Sequence, residues 1–329
     1  MARIVQFHEC GDADVLKIED VDVPAPAPDE VQIAVRAIGL NRAEVRFRES
    51  AYIQQAKFPS KLGYEAAGVV HAVGRNASGF AISDVVSVIP TPDMARWGTY
   101  GELVNIPARH VVKHPPNLTF EQAAASWMMY ITAYGALIDQ GKLTADDFVI
   151  VSAASSSVGI AAFQVAHAVG AKVIATTRTH AKAQALRDAG ADFVVATEEE
   201  DLVARVMEIT NNQGARVAFD PVGGPNIAVL ANAVARRGII FSYGALNRDG
   251  GPFPQFPVVA KSLTVKGYLF SEIADDDEAL ERAKAFILPR LQSGEFTPLI
   301  SRVFSFDEIQ VATRFLESNA QIGKIVVKI

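Results

Sequence analysis

Residues 148–195 constrain this chain more than any other stretch, because strand, turn, helix and second strand follow one another there without interruption. The run Phe148-Val149-Ile150-Val151 is short, wholly apolar and preceded by the acidic pair Asp146-Asp147, which suits a parallel strand buried on both faces. Beyond a turn over residues 152–159, Val158, Ala161, Ala162, Val165, Ala166 and Val169 recur at i, i+3, i+4, i+7, i+8 and i+11. That spacing lays one apolar stripe along a helix, which Gly170 closes. Residues 172–176 supply the second strand, and the unit as a whole predicts an α/β region with a parallel, doubly wound sheet.

A turn leading from a strand into a helix is suited to anions, since the first N–H groups of the helix lack intrahelical partners and the dipole is positive there. In the G-x-G-x-x-G frame of dinucleotide sites, the three glycine places are held here by Ala154, Ser156 and Gly159. Small residues still admit a pyrophosphate, so Ser155, Ser156, Ser157, Val158 and Gly159 are the expected cradle, with the serine hydroxyls adding donors. The same residues also suit an ordinary strand-to-helix turn with serine as N-cap. The segment after the second strand weighs toward a nucleotide. An NAD site presents an acid to the ribose 2′-hydroxyl about 20 residues after the turn, but residues 175–182 read Ala-Thr-Thr-Arg-Thr-His-Ala-Lys. Thr177, Arg178 and Lys182 offer what a 2′-phosphate needs. These residues predict NADP(H), with a solvated basic loop as the alternative.

The alternation continues through residues 192–195, 216–220, 239–243 and 263–266, giving six strands in all. Val222 opens a Val-Gly-Gly turn after one of them, and Tyr243 leads into Gly244-Ala245 after another. These are carboxyl ends of strands, where a dinucleotide is expected. Residues 1 to about 112 read differently, as short strands at 3–7, 16–21 and 31–38 with alternating polarity, an antiparallel barrel pattern. The ladder Pro24-Ala25-Pro26-Ala27-Pro28 is an extended connection. Thr119-x-x-Gln122 predicts a capping box at the start of an apolar helix, and the acids at 275–278 precede a helix over 279–291.

A chain of 329 residues, half of them hydrophobic, is long enough for two domains. Its net charge of −6 and lack of a Lys/Arg run argue against nucleic acid and anionic membrane surfaces as partners. No leader pattern and no spanning stretch is read, so cytoplasmic residence is expected. The one cysteine, Cys10, excludes an internal disulfide and a zinc site of several thiolates, and the six histidines lack metal spacing.

Several segments together carry a family resemblance: residues 62–70 (LGYEAAGVV), 98–102 (GTYGE), 132–134 (TAY), the turn at 153–159 and the closing 323–327 (GKIVV). The chain resembles the medium-chain dehydrogenase/reductase superfamily, and within it the zinc-independent quinone oxidoreductases. The resemblance implies a GroES-like antiparallel β-barrel catalytic domain over residues 1–120, a Rossmann dinucleotide-binding domain with a doubly wound parallel six-stranded sheet over 121–267, and a return to the catalytic domain over 268–329. It places Asn41 or a neighbour, Tyr64 and Met128 where zinc-dependent members carry Cys, His and Cys, so no metal is expected. It puts Tyr130 and Thr132 near the nicotinamide. Asn41 is then a candidate to hydrogen-bond the acceptor oxygen or the carboxamide, with Tyr52 and Tyr130 candidates to position the acceptor or donate a proton. The implied activity is NADPH-dependent hydride transfer to a quinone or an α,β-unsaturated carbonyl. A small-alcohol dehydrogenase and a non-enzymatic NADPH-binding protein are the alternatives. The resemblance also implies a homodimer joined through the edge strand at 263–266.

Overall fold

The computed structural model describes all 329 residues. The chain divides into two compact units, one of Met1–Met128 with Ile273–Ile329 and one of Met129–Glu272. The borders expected from the sequence lie at 120/121 and 267/268; the observed division falls later in the chain at both.

In the first unit, β1 (Ala2–Gln6) and β2 (Lys17–Val21) form an antiparallel pair. A larger sheet takes in β3 (Glu30–Gly39), β4 (Glu65–Val73), β5 (Val85–Val88), β6 (Leu103–Pro107) and β7 (Val111–Lys113). The long strand β3 is its centre, pairing antiparallel with both β4 and β6. Val31, Ile33, Val35 and Ala37 of β3 all point into the core, as period-2 alternation requires. Register shifts between Gln32/Ile33 and Val35/Ala37 add local twist, which curls the sheet.

The second unit contains β8 (Phe148–Val151), β9 (Lys172–Thr177), β10 (Phe193–Ala196), β11 (Ala215–Asp220), β12 (Val234–Ser242) and β13 (Thr264–Gly267). Their spatial order is β10-β9-β8-β11-β12-β13, every neighbouring pair parallel. This is the doubly wound order expected of a Rossmann sheet. Ile150, Ile174, Ala218 and Ile240 lie in one register row across four strands and are fully buried. The wholly apolar runs seen in the sequence follow from helices covering both faces. Strand order reverses between β8 and β11, which makes their carboxyl ends the switch point where ligands of such sheets bind.

Two last strands, β14 (Ile300–Ser305) and β15 (Lys324–Lys328), belong to the first unit, β15 pairing antiparallel with β3. The pair β14–β15 is parallel, a departure from the all-antiparallel expectation. The helix Ile309–Glu317 between them explains it, because a crossover of this kind returns the chain in the same direction.

Candidate functional site

The carboxyl edge of the second unit gathers most of the residues singled out in its sequence. After β8, Ala153 takes a left-handed conformation, φ +48°, at a cost of about 1–2 kcal/mol for a residue with a Cβ. The turn delivers Ser156 as N-cap of the helix Ser157–His167, its hydroxyl accepting from Gly159 N–H at 3.1 Å. A Cβ on Gly159 would meet the Ala154 carbonyl oxygen at 2.4 Å. Glycine is required there for helix and turn to close on one another, while the two earlier glycine places tolerate alanine and serine. The N–H groups of Ser157 and Val158 belong to the first helical turn and are offered toward the strand edge.

Beside this turn, Lys182 Nζ donates to Ser155 Oγ at 3.2 Å, so the cationic segment after β9 reaches the serine turn itself. Burial lowers the Lys182 ammonium below its ordinary pKa, and Arg178 adds to that by repulsion. Ser152 N–H donates to Phe219 O at 3.1 Å, tying the turn to β11. At the end of β11 the buried Asp220 accepts from Gly223 N–H and from Asn226 Nδ2, both at 2.7 Å. Burial raises its pKa despite these donors. Tyr243 N–H donates to Asp220 O at 3.0 Å, and the Tyr243 ring stacks on Phe219 at 4.0 Å. Val222 accepts through its carbonyl from Asn247 N–H, and a Cβ on Gly244 would meet Pro221 O at 2.9 Å. Val222, Tyr243, Gly244 and Ala245 are thus drawn together with the turn. Asp220 and Asn226, which pin that corner, were not singled out in the sequence; an acid three residues before a Gly-Gly pair was the available signal.

Tyr130 and Thr132 sit on the helix Trp127–Tyr134. Both are buried, and Tyr130 OH donates to Gln164 Oε1 at 2.7 Å. Burial pushes the Tyr130 phenol well above its ordinary pKa.

Asn41 and Tyr52 belong to a second set of polar groups, in the first unit. Asn41 precedes the helix Arg42–Arg48. Its Oδ1 accepts from Lys324 Nζ at 2.7 Å, and its Nδ2 lies 3.1 Å from Glu65 Oε1 and 3.2 Å from Glu44 Oε1 and Gly39 O. Lys324 also forms an ion pair with Glu65, both side chains being almost wholly buried. Glu65 Oε2 accepts from Met128 N–H at 3.0 Å. Glu44 accepts from Asn41 N–H at 2.7 Å, Tyr64 N–H at 2.9 Å and Tyr100 OH at 2.5 Å. Burial nevertheless outweighs these donors and raises the Glu44 carboxyl to about 7. From Tyr64 the network leads outward, since Tyr64 OH donates to Tyr52 OH at 3.1 Å. Burial raises both phenols above their ordinary pKa, so both remain protonated hydrogen-bond donors at neutral pH. Gly39 makes the cluster possible, as a Cβ there would lie 2.2 Å from Ala124 O and 2.9 Å from Lys324 Cε.

Of the residues that the family resemblance sets against zinc ligands, Asn41 or a neighbour, Tyr64 and Met128, Asn41 is an amide bonded to lysine, Tyr64 a phenol bonded to another phenol, and Met128 a methionine whose backbone binds Glu65. No group of three or more His, Cys, Asp or Glu is arranged to hold a metal ion. Glu44 escaped sequence reasoning, and Glu65, Tyr100 and Lys324 entered it only as parts of the segments that carry the family resemblance, without a site role.

A parallel sheet in the order found here, with a serine turn at its switch point, in a chain whose other unit is built on an antiparallel-rich sheet, defines a two-domain nucleotide-dependent dehydrogenase. Comparison with known proteins narrows this. Residues 27–116 match the model of the alcohol dehydrogenase GroES-like domain and residues 157–285 that of the zinc-binding dehydrogenase family. Quinone oxidoreductase 1 of Escherichia coli (strain K12) is 36% identical over 337 residues, covering 98% of each chain. The crystal structure of the Escherichia coli quinone oxidoreductase complexed with NADPH superposes with a TM-score of 0.91 at 30% identity over the whole of both chains. An NAD-dependent alcohol dehydrogenase structure reaches the same TM-score at 30% identity over 99% of each chain. This chain belongs to the quinone oxidoreductase branch of the medium-chain dehydrogenase/reductase superfamily.

Proposed function

We propose that this protein is an NADPH-dependent oxidoreductase that reduces a quinone or an α,β-unsaturated carbonyl compound without zinc. The observation that carries the cofactor assignment is the contact of Lys182 with Ser155, which joins the cationic segment to the phosphate turn. The cofactor supplies the hydride and with it the hard chemistry. The chain's share is to bind the phosphates, orient the acceptor and exclude water. Cofactor roles are proposed for Thr132, Ser155, Ser156, Ser157, Val158, Gly159, Thr177, Arg178, Lys182, Val222, Tyr243, Gly244 and Ala245. Tyr52 is proposed as the phenol that meets the acceptor oxygen: Tyr64 donates to it, so its own proton is available to a developing oxyanion. Asn41 and Tyr130 enter as residues that hold the site in place, because their polar atoms are bonded to Lys324 and Gln164. Independence from zinc rests on the side chains that stand at the family's ligand positions.

Two further parts of the proposal are a homodimer and a cytoplasmic setting, the latter resting on sequence reasoning alone. For the dimer, β13 ends the sheet and pairs only with β12 in the strand order. Nearby, Phe253, Phe256 and Val259 are exposed by 64%, 84% and 70%. Lysines can guard such an edge, but Lys261 Nζ caps the helix Asn226–Ala233 through Asn232 O, and Lys266 Nζ binds Gln140 Oε1 and Glu272 Oε2. No helix is long and apolar enough to cross a membrane.

Consumption of NADPH with a panel of quinones, enones and simple aldehydes, before and after exhaustive chelation, tests the reading. Turnover of quinone or enone that survives chelation is the expected result. Activity on aldehydes alone, lost with a stoichiometric metal, would instead favour an alcohol dehydrogenase, the reading that the equally similar NAD-dependent alcohol dehydrogenase structure supports.

A further inference from the structure

The sequence shows no acid at the end of β9, where an NAD site would have one, but the fold brings acids to that place from another strand. Thr197 N–H donates to Thr177 O at 2.8 Å and Glu198 N–H donates to Arg178 O at 2.9 Å. The run Glu198-Glu199-Glu200 after β10 is thereby zipped alongside the segment that carries Thr177 and Arg178. Left uncompensated, these carboxylates would repel a 2′-phosphate and favour a ribose hydroxyl. Two cations compensate them. Arg205 Nε lies 3.2 Å from Glu200 Oε1. His180 stands between the acids, its Nδ1 hydrogen-bonded to Glu199 Oε2 and its Nε2 3.3 Å from Glu200 Oε2. A neutral imidazole carries one N–H, so only the doubly protonated ring can donate toward both carboxylates at once.

We propose that His180 is a specificity-determining residue for the nicotinamide cofactor: its protonated ring neutralises Glu199 and Glu200 beside the 2′-phosphate position and so sustains the preference for NADPH over NADH. The inference rests on the cofactor assignment above. The charged groups facing His180 are Glu199 and Glu200 from the turn after β10, with Arg205 on the far side of Glu200 and Arg178 and Lys182 on its own segment. Glu199 is held below the ordinary carboxylate range chiefly by its hydrogen bond from His180, in keeping with a charged pair. With the acids masked by the ring, NADPH is favoured; with them unmasked, the preference falls. His180 makes no claim on the chemical step, so it acts by shaping the charge that the cofactor meets.

Dissociation constants for NADPH and NADH, read by fluorescence titration, test this in wild-type protein, His180→Gln and the double variant His180→Gln with Glu199→Gln. The single variant should show an NADPH-to-NADH preference lower than wild type by about two- to fivefold, the scale of a partly exposed charge pair, and the double variant should regain the preference. A single variant with the wild-type ratio overturns the proposal, as does a double variant that restores nothing. Wild-type protein that binds NADH as tightly as NADPH removes the cofactor assignment, and the inference with it.

Discussion

The cofactor edge of the second unit is built largely from backbone and small side chains, whereas the polar set of the first unit is built almost wholly from large side chains buried against one another. At the edge, Ser156 caps a helix, Gly159 lets the turn close, and the cations stay near solvent. In the polar set, Glu44, Glu65, Lys324, Asn41 and Tyr100 are all less than about a tenth exposed, and each is the hydrogen-bond partner of another. The two arrangements carry different liabilities. Groups near water lose little when a partner is removed, because water replaces it. Buried charges lose their compensation outright. A substitution in the first unit should therefore register as lost folding stability, and one at the cofactor edge as lost affinity with the fold intact.

The largest effect is expected at Lys324. Lys324→Met would leave Glu65 a buried, unpaired charge and strip Asn41 Oδ1 of its donor, a loss of about 3–5 kcal/mol. Urea unfolding followed by circular dichroism would read it as a lowered midpoint. A variant that unfolds at the wild-type midpoint would show that the ion pair is no more structural than the cations at the cofactor edge, and the contrast between the regions would fail.

Glu44 gives the next effect, visible as pH dependence. Its carboxyl is raised from 4.5 to about 7 in the folded protein, so the native state holds a proton that the unfolded chain has released. Stability from this group is fully present below about pH 4.5 and is lost as pH rises through about 7, by up to roughly 3 kcal/mol if the whole shift is realised. In Glu44→Gln that part of the slope should vanish, though the absolute stability falls because an amide N–H₂ would face the donors of Asn41, Tyr64 or Tyr100. Unfolding free energies at a series of pH values from 4.5 to 8 check this; equal slopes in the two proteins would mean that Glu44 is ionised throughout.

At the cofactor edge, Arg178→Glu should leave the urea midpoint unchanged and weaken NADPH binding by about 1.5–3 kcal/mol, the scale of a hydrogen bond to a charged group. NADH affinity should change far less. Calorimetric titration with both nucleotides reads the difference.

The same contrast explains what was legible in the sequence. The strand runs at 148–151 and 172–176, the helical stripe between them and the serine turn are contiguous, so periodicity and local chemistry exposed the sheet, its six strands and the turn proposed as the phosphate cradle. The polar set draws on residues 41, 44, 65, 100 and 324, separated by up to most of the chain, and no local pattern distinguishes Glu44 or Glu65 from a solvated acid. Even at the cofactor edge linear reading had a limit. The spacing rule found no acid after β9, because the acids arrive from β10 through a ladder that only the folded register reveals.

The smallest effect, and the one closest to chemistry, concerns the hydroxyl pair Tyr64–Tyr52, where the buried set of the first unit reaches outward. Tyr64→Phe keeps the ring and its packing but removes the donor to Tyr52 at 3.1 Å. Stability should fall by about 0.5–1.5 kcal/mol, the net worth of one hydrogen bond. If Tyr52 meets the acceptor oxygen, kcat/KM for a quinone should fall by roughly two- to tenfold on the same scale, with the NADPH dissociation constant unaltered. Tyr52→Phe should fall at least as far, and the double variant no further than Tyr52→Phe alone, because Tyr64 acts only through Tyr52 and coupled residues do not add. Losses that add in the double variant would separate the two phenols. Tyr64 would then belong with the structural interior around Glu44, and the outward path from that interior to the acceptor would have to end elsewhere.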